Sequence, residues 1–315
     1  EILLGNKSFC NLTEVDVGKF RGDSAGLRRA IHLAARANYR QTCVDLRDGI
    51  LQEVWHRNNE FLRLCGVGLT GIVRRPDLTP YDYSELQRTS VAGAYSMADE
   101  LGLQRPKNVT TVKPSGTLSK IMDTTEGVHK PLGKYVFNNV NFSKHDPMVP
   151  MCRAAGYRVF DNPVDPAGVL ITFPVKWDDV PFEKVVKNGK EMEVNLEPAV
   201  AQLERYKMLM QNWCQQNVSA TISYSVYEVP AIVDWLLKNW DNYVGVSFLF
   251  RNDPTKTAKD LGYLYLPQEV VTKEAYDEYV SRIQPLTIDQ EANSEANSFD
   301  EFQGDECAGG VCPIR

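Results

Sequence analysis

Short β-rich runs that alternate with helical stretches limit what this chain can become. The runs are SFCNLTEVDV (8–17), NVTTVK (108–113), GVLITFPV (168–175), NVSATISY (217–224) and VGVSFLF (244–250), each rich in Val, Ile, Thr or Phe. Between them lie helical patterns. Asp23 and Ser24 offer an N-cap to a stretch with Leu27, Ala30, Ile31, Ala34 and Ala35 at helical spacing. Further helices are predicted over 51–64, over 83–101 with Gly102 as the stop, over 197–214 and over 228–240. Strands alternating with helices predict a mostly parallel α/β sheet or barrel. Five such runs are too few for an eight-unit barrel, so part of a closed structure is expected.

The 315 residues, 43% of them hydrophobic, suffice for a large core. No apolar run approaches the ~20 residues of a membrane-spanning helix, and no export signal opens the chain. The seven cysteines are an odd number and mostly scattered, which predicts a reducing, cytoplasmic setting rather than a disulfide-stapled fold. The chain starts at Glu1 rather than at Met, and reads as processed or as a piece of something longer.

The net charge of −6 resides in the last stretch. Asp289, Glu291, Glu295, Asp300, Glu301, Asp305 and Glu306 face a single base there, Arg315, and the remainder is balanced. A neutral body gives no electrostatic case for binding nucleic acid or a membrane surface. The expected organisation is a folded body over 1–284 and a flexible acidic tail over 285–315, which contains the duplication EANS-EANS and ends in CAGGVCPIR.

Two motifs bear chemistry. Cys307 and Cys312 are separated by four residues, two of them Gly309 and Gly310, so the chain can fold back and bring the sulfurs together. On a tether with a reach of about 25 Å, such a dithiol would act as a mobile reductant. The plainer readings are idle thiols or half of a zinc site, although zinc needs four ligands and no further Cys or His lies nearby. The second motif is KPSGTLSK (113–120), in which Pro114, Ser115, Gly116, Thr117, Leu118 and Ser119 follow a β-run. Backbone N–H groups and hydroxyls in such a loop can cradle an anion, although an ordinary βα turn looks the same and the P-loop spacing is missing. Cys10 stands inside the first β-run, where a lone cysteine is usually packing. Cys43, Cys65, Cys152 and Cys214 read as core or surface residues, and His32, His56, His129 and His145 show no metal-ligand spacing.

Taken in order, these segments resemble the C-terminal half of the large catalytic chain of ribonucleotide reductases. In that family the pattern Asn-x-Cys-x-Glu holds the radical cysteine, and a short loop leads to a strand reading Cys-Asn-Leu. Glu1 matches the last residue of the pattern, and Cys10 matches one of the two cysteines that reduce the substrate. GVGLTGI (66–72) resembles a helix signature of these enzymes, KPSGTLS their substrate-phosphate loop, EGVHKP (126–131) the acidic-Gly stretch after it, and CAGGVC their shuttle cysteines. The Cys-x4-Cys tail and the wording VKPSGTLSK look most like the monomeric adenosylcobalamin-dependent enzymes, which reduce ribonucleoside triphosphates. The adjacent tyrosines of the di-iron enzymes are missing, as are the glycyl loop and zinc site of the anaerobic ones.

The resemblance implies the second half of a ten-stranded α/β barrel of the ribonucleotide reductase and glycyl-radical enzyme type. It implies thiyl-radical reduction of ribonucleotides with adenosylcobalamin as cofactor, whose contacts it does not assign to individual residues, and no metal site in the chain itself. Glu1 would take the 3′ hydroxyl proton, Cys10 and an upstream cysteine would supply two electrons, and Cys307 and Cys312 would reduce the resulting disulfide. Thioredoxin or a similar dithiol protein would reset the tail. The radical cysteine, the second reducing cysteine and the allosteric site would belong to a missing N-terminal half, so this chain alone would be inactive. Two other readings stand beside it: a fragment of a di-iron ribonucleoside-diphosphate reductase, and a non-catalytic, redox-tailed nucleotide-binding module.

Overall fold

The computed structural model describes residues 2, 4–47, 49–187 and 189–286. Glu1, Cys307 and Cys312 lie outside the described residues, as does all of the acidic tail beyond Leu286. The chain divides into two compact units, one comprising Glu1–Phe137 and Val175–Lys273, the other Asn138–Pro174 with the described residues from Glu274 onward.

In chain order the elements begin with β1 (Asn11–Asp16), α1 (Ser24–Gln41), α2 (Glu53–Leu62), β2 (Cys65–Thr70), α3 (Pro80–Glu100) and α4 (Leu118–Ile121). Next come β3 (Tyr135–Ser143), α5 (Met148–Ala154), β4 (Val159–Asp161), β5 (Gly168–Lys176), β6 (Glu183–Lys187) and β7 (Lys190–Val194). The series closes with α6 (Ala199–Asn212), β8 (Thr221–Tyr224), α7 (Val229–Lys238), β9 (Ser247–Phe250), α8 (Ala258–Leu261), β10 (Gln268–Val270) and α9 (Lys273–Val280).

The first unit is built on parallel pairing. β1 runs parallel to β2 in the register Asn11–Cys65 to Asp16–Thr70. Residues 109–112 continue the array through parallel bridges from Thr110 to Val67 and from Val112 to Val218. β8 then pairs in parallel with β9, Thr221 opposite Ser247 and Tyr224 opposite Phe250. Parallel neighbours need long crossovers, and helices α1 with α2, then α3, then α7 supply them. Asp23 caps α1 by accepting from the Gly26 N–H at 2.8 Å. Gly93 of α3 lies against α1 so closely that a Cβ there would come within 2.5 Å of the His32 carbonyl oxygen. The core between these layers holds Ile31, Tyr39, Val67, Leu69, Tyr83, Leu203, Tyr206, Leu209 and Trp213, all essentially buried.

Three expectations change. GVGLTGI is a strand, β2, whose six residues are all buried, and not a helix. A parallel strand covered on both faces loses the alternation that marks a strand in a sequence. Gly66 is required by the packing, because a Cβ there would lie 2.4 Å from Leu12 Cδ2. The run GVLITFPV forms β5 outside the parallel array, antiparallel to β4 with Ile171 opposite Val159; an apolar run alone does not tell the two pairings apart. Helix α3 starts at Pro80 rather than at Tyr83, because Thr79 and Asp82 form a reciprocal capping box around Pro80 at the first turn.

In the second unit, β3, β5 and β4 lie side by side in that order. Val149 and Cys152 of α5 pack with Val169 and Ile171 of β5 in a small separate core, flanked by Phe142, Tyr157 and Phe173. The Tyr279 hydroxyl of α9 donates to the Thr172 carbonyl oxygen at 2.9 Å. No helix among the described residues is long and apolar enough to cross a membrane.

Candidate functional site

The loop 113–119 leaves the carboxyl end of the central member of the parallel array, residues 109–112, and Ser115 and Lys113 reach Glu14 of β1. That is the end of an α/β sheet where ligands characteristically bind. The Ser119 N–H donates to the Ser115 carbonyl at 3.2 Å, and the Lys120 N–H to the Thr117 carbonyl at 3.1 Å. Ser115 and Ser119 are buried, whereas Pro114, Gly116, Thr117 and Leu118 are exposed. Among the described residues no acceptor engages the N–H groups of Gly116, Thr117 or Leu118, and the Ser119 hydroxyl has no hydrogen-bond partner. The loop therefore presents unused donors around one short turn.

The segment from Thr124 to Gly127, just past the loop, is stitched to the strand ends. The Thr124 hydroxyl donates to Asp16 Oδ1 at 2.9 Å, the Thr70 hydroxyl to the Thr125 carbonyl at 2.7 Å, and the Gly127 N–H to Thr70 Oγ1 at 2.9 Å. Gly127, at φ +47°, passes so close to the loop that a Cβ would lie 2.2 Å from the Lys113 carbonyl oxygen. Burial pushes the Asp16 carboxyl above its ordinary range, against the opposing hydrogen bonds from Thr124 and Gly18 and the positive Arg74.

Strand β1 reaches into the loop. Ser115 Oγ donates to Glu14 Oε2 at 2.6 Å, and Lys113 Nζ stands 3.6 Å from the same oxygen. Cys10 is exposed and directly precedes β1, so the strand begins one residue after it rather than including it. Cys10 shares the alternation parity of Leu12, Glu14 and Asp16. Of the sequence candidates, the structure brings the residues of the 113–119 loop together and joins them to Cys10 through β1. Glu14 touches the loop directly. The only sequence signal for Glu14 and Asp16 is a pair of acids alternating with valines, Glu14-Val15-Asp16-Val17, at the end of the first β-run. Cys65, Cys152 and Cys214 are buried, and burial pushes the Cys65 and Cys214 thiols up to about 12, which keeps them protonated near neutrality.

His129, within EGVHKP, ties this region to β8: the Thr221 N–H donates to its Nε2 at 2.9 Å. Burial lowers the His129 pKa, so the fold favours the neutral ring. An unfolded histidine titrates near pH ~6.5. Above that pH the stabilisation is complete; as the pH falls below it, the unfolded chain takes up a proton that the native ring resists, and stability drops. Melting temperatures between pH 7.5 and 5.5 should therefore fall more steeply for the wild type than for His129→Gln, which keeps an acceptor without titrating.

No family model matches the chain. Curated relatives do. The adenosylcobalamin-dependent ribonucleoside-triphosphate reductase of Levilactobacillus brevis is 26% identical over 240 residues, which is 74% of this chain and 30% of that protein. The enzyme of the same name from Lactobacillus leichmannii is 25% identical over 355 aligned positions, covering 100% of this chain and 45% of its own length. The chain is similar in sequence to adenosylcobalamin-dependent ribonucleoside-triphosphate reductases. It spans less than half the length of these reductases. The crystal structure of a B12-dependent, class II ribonucleotide reductase has the same fold over 94% of this chain and 43% of its own, with a TM-score of 0.74 at 22% identity.

Proposed function

We propose that the chain is the C-terminal half of the catalytic barrel of an adenosylcobalamin-dependent ribonucleoside-triphosphate reductase, and that it works with an N-terminal half holding the radical cysteine. The observation that carries this reading is the link between strand β1, entered directly from Cys10, and the donor-rich loop 113–119. Cys10 and Glu14 are four residue steps apart, about 13 Å at the usual strand rise. That separation suits a ligand whose sugar lies by the thiol and whose phosphates lie on the loop. The exposed β9, with Phe248, Leu249 and Phe250 all open to solvent, supports continuation of the barrel in the other half.

In this reading the N–H groups of Gly116, Thr117 and Leu118 and the Ser119 hydroxyl hold the triphosphate. Adenosylcobalamin, when bound, supplies the radical that starts the reaction. The described residues mark no ligand for it: the His56 and His129 rings each accept a backbone N–H, from Leu46 and Thr221, and no step is derived through the cofactor. Glu1 takes the 3′ hydroxyl proton. Cys10 and an upstream cysteine give two electrons and two protons, the 2′ carbon gains hydrogen as its oxygen leaves as water, and the two sulfurs join. The Cys307–Cys312 dithiol breaks that disulfide by exchange and becomes the oxidised pair, which a thioredoxin-type protein reduces.

Reconstitution tests this. The chain is co-expressed with the upstream half of the reductase and supplied with adenosylcobalamin, a ribonucleoside triphosphate and a dithiol-protein reductant. Deoxynucleotide should form with both halves and the cofactor, and with neither half alone. Formation that needs a di-iron radical protein in place of adenosylcobalamin would point to the di-iron reading, and no formation with either radical source to the non-catalytic module.

A further inference from the structure

We propose that Glu14 is a positioning residue of the 113–119 loop: its carboxylate holds the Ser115 hydroxyl, locks the loop in a left-handed turn and so presents the loop's N–H groups to a polyphosphate. This rests on the phosphate-loop reading above and names a residue that acts through another, not on the substrate.

Ser115 has φ +61°, a conformation that a non-glycine residue holds only when its surroundings impose it. Glycine would adopt it freely, so the serine side chain must contribute something here. Its hydroxyl donates to Glu14 at 2.6 Å. The same residue's carbonyl receives the Ser119 N–H, so fixing Ser115 fixes both ends of the turn. The Glu14 side chain is 0% exposed, and a carboxylate so enclosed requires strong partners. Lys113 is one of them, and the packing makes room for it: Glu14 stands opposite Gly68 of β2, where a Cβ would lie 3.4 Å from Lys113 Cγ and Cδ. The Ser115 hydroxyl and carbonyl are thus both engaged on the inner side of the turn, while Gly116, Thr117 and Leu118 are exposed.

A Glu14 that merely neutralises Lys113 would behave differently from one that acts through Ser115. The test uses the full chain, tripolyphosphate as the probe in calorimetric titration, and amide hydrogen exchange at Ser119 as a second readout. Ser115→Ala should weaken tripolyphosphate binding about tenfold and speed Ser119 exchange by a similar factor, the scale of one lost hydrogen bond to a charged group. Glu14→Gln, which keeps an acceptor for the hydroxyl, should leave both within about twofold of wild type. Glu14→Leu should match Ser115→Ala, and should it fail to fold, the first two variants carry the test. Tighter binding in Glu14→Gln, or a Ser115→Ala variant unchanged in both readouts, overturns the anchor. Absence of tripolyphosphate binding by the wild type, with Ser119 exchange still accelerated in Ser115→Ala, overturns the phosphate role of the loop and the purpose assigned to Glu14 with it.

Discussion

Cys10→Ser in the reconstituted reductase should abolish deoxynucleotide formation, with a dithiol-protein reductant and with a small thiol alike. A serine oxygen cannot enter a disulfide, so the two-electron step loses one of its donors. Cys307→Ser should behave differently. The first turnover draws on Cys10 and its partner and should proceed; later turnovers with the protein reductant should stop, and a small thiol that reaches the inner disulfide directly should restore them. Rapid-quench measurement of product per enzyme separates the two patterns. Full multiple turnover by Cys10→Ser would remove the sulfur pathway from the proposed function.

The largest effect on stability is expected at Trp213. It is completely buried, its indole N–H donates to the Thr111 carbonyl at 2.7 Å, and its own carbonyl accepts from the Thr110 hydroxyl at 2.6 Å and from Gln87 at 2.8 Å. These contacts fasten the end of α6 and the flank of α3 to the central member of the parallel array. Trp213→Ala should cost about 3–5 kcal/mol, the range for removing a buried aromatic side chain from a packed core. Trp213→Phe retains most of the packing but loses the indole hydrogen bond to the Thr111 carbonyl, a loss of about 1 kcal/mol. Urea unfolding reads both, and an unchanged slope would assign the effect to the native contacts.

Helix α1 is legible in the sequence because Asp23 and the spacing of Leu27, Ile31 and Ala35 are local signals, and α6 and α7 likewise emerge from their own periodicity. Strand β2 is not, because burial on both faces removes its alternation and two glycines imitate a loop. The loop 113–119 can be picked out by its residue types, and its attachment cannot: Ser115 and Glu14 are 101 positions apart, and only pairing of β1 with β2 and of β2 with residues 109–112 brings them together. The acids at 14 and 16 are visible on one face of a β-run, but what an acid in a strand is for depends on the partner that folding delivers.

The outer edge of β9 has a consequence for the behaviour of the isolated chain in solution. Its four residues are exposed, three of them large and apolar, beside peptide groups able to receive another extended segment. The charge of −6 opposes such encounters at neutral pH, but that repulsion vanishes as the solution approaches the isoelectric point near 5.4. Self-association should therefore set in on mild acidification and begin at Phe248–Leu249–Phe250, where one molecule's sheet can be extended by the next.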